Sequence, residues 1–180
     1  METQIILKAG DSVAGVIALH DTCPLSRIRQ ISTAFYAMRM TKPPFLWARG
    51  KKPSLSEAKK IISLGHKALT ILDEKASKED LSAMFQLLSG ALKHQSTADA
   101  KATAAAYLLS LNGVSHWALK TATRDIMKGK AEGLSKIFMP SAPELYAYCD
   151  KLEGDIRGCV EYVFKALEKS EAVSWDNFAI

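Results

Sequence analysis

The sequence contains no run of about 18 consecutive apolar residues, so no membrane span is expected from it. Met1-Glu2-Thr3-Gln4 lacks the positive start of a secretory leader, and cytoplasmic residence is the expectation. Paired CxxC spacing is missing: Cys23, Cys149 and Cys159 are odd in number, and Cys149 and Cys159 fall in amphipathic helical patterns, which favours buried free thiols over disulfides or metal ligands. His20, His66, His94 and His116 are scattered, with no HExxH or HxH pair, which argues against a zinc site. The glycines at 10, 15, 129 and 133 match neither a P-loop nor a dinucleotide fingerprint, and no GxSxG elbow is present. Acidic pairs such as Asp73-Glu74 and Glu79-Asp80 sit at expected helix ends, where the second pair complements an N-terminal dipole. Together these absences point away from an enzyme and leave no catalytic residue, metal or cofactor to expect.

What is there is core material and an uneven charge distribution. Of 180 residues 48% are apolar, enough for a domain that folds alone. The net charge of +5 hides an asymmetry: residues 144–180 hold eight acidic and four basic side chains, a balance of −4, which leaves +9 on residues 1–143. A basic body with an acidic end suits a protein that meets a polyanion or an acidic partner on one surface. Ordinary solvated helix faces give the same numbers.

The pattern predicts an all-α fold of about seven helices joined by short connections. Residues 4–20 read equally as a hairpin or a short helix, because apolar runs of this length do not distinguish the two. Thr22 and Pro24 open a helix over 24–40 with Leu25, Ile28, Ile31, Phe35 and Met38 on one stripe. Residues 42–53 carry three prolines and a glycine, and form a basic loop that closes an N-terminal segment, 1–53. A helical core domain follows over 54–170, then a tail, 171–180. Ser54 with Glu57 is a capping box for a helix running to about Glu74. Ser77 with Asp80 opens the next, whose stripe is Leu81, Met84, Phe85, Leu88, Ala91 and Leu92. Thr97 opens an alanine-rich helix that stops at Asn112-Gly113, and this run of helices is expected to pack closely. Ser115 starts a helix through Trp117, Ala118, Ala122 and Ile126 to the Gly129–Gly133 region. Ser141 with Glu144 is a third capping box, held between Pro140 and Pro143, with Phe138 and Met139 placed to fold back on Leu145 or Tyr146. Gly154 is expected to break this helix from a last one carrying Ile156, Cys159, Val160, Val163, Phe164 and Leu167.

Three features are candidates for binding. In the proline-rich loop, Arg39, Lys42, Arg49, Lys51 and Lys52 interleave with Phe45 and Trp47, offering cations to phosphates and rings to bases; the two rings serve equally to pin the loop to the core. Lys120, Arg124 and Lys128 recur every four residues as a basic ridge able to track a nucleic-acid backbone, or to act as a solvated face. Trp175, Phe178 and Ile180 put large apolar side chains in the tail, as a partner-binding peptide or a segment docked on its own domain.

From Ala104 to Glu153 the order of features is a helix with Tyr107 and Leu108, a turn at Asn112-Gly113, a helix with Trp117 and Ala122, a glycine-containing break, then Phe138-Met139-Pro140-Ser141-Ala142-Pro143-Glu144-Leu145 and Cys149. This order resembles phage replication accessory proteins, in particular helicase loaders of the lambda P type. The resemblance covers about fifty residues. It implies attachment to a replicative helicase or another nucleic-acid machine, with basic regions touching single-stranded DNA. With no ATPase motif, such a loader acts by binding and not by hydrolysis. Two rival readings stand beside it. One is a phage-type inhibitor of a host enzyme, acting by protein contact with Glu161, Glu168 and Glu171 as phosphate mimics. The other is a helical structural protein that assembles with itself; the pattern sets no oligomeric state.

Overall fold

A computed structural model describes residues 23–38, 53–94 and 100–168. Among them are six helices and no strand: α1 Pro24–Met38, α2 Leu55–Asp73, α3 Lys78–Ala91, α4 Ala100–Ser110, α5 His116–Met127 and α6 Ala142–Glu168. The protein is all-α. The readings placed on residues 4–20, on Thr97, on the loop residues Arg39 to Lys52 and on Trp175, Phe178 and Ile180 lie outside the described residues, as do the last two positions of the helix expected over 24–40.

Among the described residues one expected helix boundary is absent: Gly154 does not end a helix, and α6 runs unbroken for 27 residues. A glycine inside a helix costs only about 1 kcal/mol relative to alanine, and residues buried on both sides of it outweigh that. Leu145 and Cys149 precede it and Ile156, Val160 and Val163 follow it, each no more than 2% exposed.

Helix starts follow local side-chain chemistry. The Ser54 backbone N–H donates to Glu57 Oε2 at 2.7 Å while the Glu57 N–H donates to Ser54 Oγ at 3.3 Å. Ser77 and Asp80 repeat this exchange at 2.9 and 3.1 Å, and Ser141 and Glu144 at 2.7 and 3.4 Å. Each box satisfies two donors that the first turn of a helix leaves orphaned. Ser115 caps α5 by accepting from the Ala118 N–H at 3.1 Å. Gly113, at φ 89°, makes the left-handed turn between α4 and α5 that a residue with a Cβ adopts only under strain.

The chain divides into two compact units, 1–69 with 156–180, and 70–155. In the first, Leu25, Ile28, Ile31 and Phe35 of the expected α1 stripe are buried, while the side chain of Met38 lies outside the described residues. Ala58, Ile61 and Ile62 of α2 are buried too, as are Val160, Val163 and Leu167 of α6. At Gly65 α2 and α6 approach closely: a Cβ there would lie 2.5 Å from Phe164 Cε1. The Phe164 ring also stands beside His66, with centroids 5.4 Å apart.

The second unit has a core built from α3, α4, α5 and the first half of α6, with Leu88, Leu111, Ala118, Ala122, Leu145 and Cys149 fully buried. Two short backbone pairings tie its connections together. The Ala76 N–H donates to the Val114 carbonyl and the His116 N–H to the Glu74 carbonyl, both at 2.9 Å. Lys93 donates to the Ile137 carbonyl and accepts from the Met139 N–H, again at 2.9 Å. Met139 and Leu145 are buried in this core, whereas Phe138 and Tyr146 remain 40% and 43% exposed, so the apolar fold-back onto α6 runs through Met139. The Tyr107 hydroxyl donates to the Pro140 carbonyl, and burial pushes its pKa up to about 12.

One expectation for this unit needs correction: Ala91 is exposed rather than part of the α3 stripe. The alanine-rich α4 packs on α3 through one face, while Ala102, Ala105 and Ala106 face solvent and Leu109 is 81% exposed. Alanine tolerates both settings, having little side chain to bury, and Tyr107 and Leu111 carry the attachment instead. The cysteines are free, with Cys149 buried, Cys159 half-buried and Cys23 exposed. Burial raises the Cys149 thiol to about 12, which keeps it protonated and inert at neutral pH.

Candidate binding groove

The basic ridge Lys120, Arg124 and Lys128 forms one edge of a groove of about 640 Å³ between α3 and α5. Amphipathic spacing explains how the two helices make it. Each turns one stripe into the core, Met84 on α3 and Leu119 on α5 among it, and leaves an apolar side chain beside that stripe uncovered, Leu87 on α3 and Met127 on α5. Met84 and Leu119 form the floor at 4% and 2% exposure, while Leu87 and Met127 stand open at 52% and 43%. Large apolar side chains exposed in the lining of one groove are the pattern of an interaction site, unlike singly scattered ones.

His116 and Asp80 close one end. Both lie in the first turns of their helices, and His116 Nδ1 is 3.1 Å from Asp80 Oδ2. The same carboxylate caps α3, and the Ser77 backbone N–H, followed by His116, holds its pKa below the usual carboxylate range. An ionised Asp80 can only accept, so His116 Nδ1 carries the hydrogen of that bond. Among the described residues, Asp80 is the one acidic side chain lining the groove.

The cations on the other edge are open. Lys120 and Lys128 are exposed; the Arg124 side chain is 57% exposed, and its Nε contacts Asp125 Oδ1 at 3.3 Å. Asp125 also faces Tyr148, whose pKa is raised first by burial and then by that carboxylate.

Of the residues singled out in the sequence, the structure brings Lys120, Arg124 and Lys128 together on one wall. The acidic face of α6 is partly engaged, since Glu161 Oε1 pairs with Lys165 Nζ at 2.5 Å. Leu87, Met127, His116 and Asp80 were not read from the sequence as a site. The one signal present there is that Leu87 falls off the α3 core stripe; His116 and Asp80 are 36 positions apart, beyond any local pattern. Among the described residues no group of three or more His, Cys, Asp or Glu is arranged to hold a metal ion. Among them, too, no helix is long and apolar enough to cross a membrane.

Comparison with protein-family models, with curated proteins and with solved structures found no match.

Proposed function

We propose that this protein works by binding and not by catalysis, and that the α3–α5 groove is where it holds a protein partner. The observation that carries this reading is the open pair Leu87 and Met127 above a buried apolar floor, bordered by three cations. The partner class comes from the resemblance of residues 104–153 to phage helicase loaders: a replicative helicase or another nucleic-acid-processing protein. The ridge supports a second role, contact with single-stranded DNA, because its three cations point along one exposed helix edge at four-residue spacing. The inhibitor reading is less well supported, since Glu161 is already paired.

Site-specific photocrosslinking tests the proposal. A photoreactive residue at position 87 should trap a discrete partner, whereas the same residue at Tyr36, 65% exposed in the other unit, should not. The purified partner should then bind the wild-type protein and lose affinity for Met127→Lys. Equal labelling from the two positions would sink the reading. The DNA role is measured with a dT20 oligonucleotide in low salt, where Lys120→Glu and Arg124→Glu should weaken binding and lower its salt dependence.

A further inference from the structure

Resting on that reading of the groove, we propose that its occupant is an acidic amphipathic helix supplied by the protein partner. Length comes first. α5 and its C-cap residue line the groove from His116 to Lys128, which at 1.5 Å per residue is about 18 Å, or a little over three helical turns. A docked helix uses that length with apolar anchors at i, i+4, i+7 and i+11. The floor and rim offer what such anchors need: Met84, Leu87, Leu119 and Met127 form a continuous apolar strip, and two of these four are methionines, whose flexible thioethers adapt to a docked side chain.

Charge then selects the occupant's flank. Lys120, Arg124 and Lys128 repeat on the α5 wall with the period of a helix, so a helix alongside them meets each with a carboxylate of its own at the same spacing. Asp80, the opposing carboxylate in the groove, is occupied by the α3 cap and by His116. A basic helix would face three cations, of which Arg124 alone has a carboxylate contact, from Asp125, a residue outside the groove lining.

The lining disfavours single-stranded nucleic acid as the groove's own ligand. Binding of that kind stacks bases on aromatic rings, and between the cations and α3 the groove is lined by methionine, leucine, alanine and Thr123, with one ring, His116, at its end and held there by Asp80. Phosphates along the ridge would leave that strip uncovered. A helix with one apolar face and one acidic flank covers both at once.

The test is a selection on the full-length protein. A display library of 18-residue helical peptides, randomised among apolar, acidic, basic and neutral residues, is enriched on the wild type and depleted on Leu87→Glu. Survivors should carry large apolar residues at i, i+4, i+7 and i+11, with Asp or Glu along one flank. The best peptide, followed by fluorescence anisotropy, should lose at least tenfold in affinity with Leu87→Glu or Met127→Glu. It should lose about tenfold with Lys120→Glu combined with Arg124→Glu, and nothing with Lys151→Glu, an exposed α6 cation that does not line the groove. Circular dichroism spectra matching the wild type should accompany each variant, since every substituted side chain is exposed. No enrichment, or survivors with neutral or basic flanks, would overturn the proposal; so would displacement of the peptide by dT20 at equal affinity. Crosslinking at position 87 that traps a partner while the selection fails removes only the acidic-helix inference. Failure of both removes the groove as the functional site.

Discussion

The unit of residues 70–155 and the unit formed by residues 23–69 and 156–168 solve the problem of packing helices differently. The first ties its connections with two backbone pairings and leaves a groove open on one side. The second has a close approach at Gly65, where α2 meets the Phe164 ring with no room for a methyl group. Ties between loops hold helices in place without filling every surface between them, so the first unit can present apolar side chains to a partner. At Gly65 the packing against a bare backbone allows no such freedom, although the second unit too exposes a large side chain, Tyr36.

A cavity in the tied unit should test that contrast most severely. Leu88→Ala removes a fully buried side chain and should cost about 2–5 kcal/mol by urea unfolding. Hydrogen exchange should accelerate over 78–149 and stay slow over 24–35 and 160–167. Equal acceleration in both regions would show one cooperative unit where the packing describes two.

Gly65→Ala sharpens the other side. The added methyl should push Phe164 aside and destabilise by about 1 kcal/mol net, strain outweighing the gain in helix propensity. In a Phe164→Ala background the same substitution should stabilise by about 1 kcal/mol instead. A cycle without this reversal would remove the close approach as the feature that defines this unit.

The helix starts are legible in the sequence because a capping box is a contact between residues three apart, needing nothing from the rest of the fold. Ser54, Ser77 and Ser141 all begin helices as their spacing predicts, and each Ser→Ala change should cost about 1 kcal/mol in chemical denaturation. The break expected at Gly154 failed for the opposite reason. A weak local preference was set against residues buried on both sides of it, which no local window weighs.

The smallest effect is the pH dependence of these caps. Glu144 is held below the usual carboxylate range by the Ser141 backbone and hydroxyl, and Asp80 by the Ser77 backbone and His116. For an acid whose folded pKa is depressed, the stabilisation is complete above its unfolded value and disappears as pH falls through the folded one. Stability should therefore hold down to about pH 4 and decline below it, with a shallower decline in Glu144→Gln. An acid limb of unchanged slope in that variant would exclude the cap as its source.

By itself, the sequence determined the all-α class, the serine-capped helix starts, the core stripe of α1 and the basic ridge at 120, 124 and 128, because each depends on the period of one helix or on neighbours three or four residues apart. Only the tertiary structure decided that α6 is continuous and that the ridge borders an apolar groove. It also set His116 beside Asp80. Those features arise from side chains far apart in the chain, brought together by the pairing of connections and the burial of a shared core.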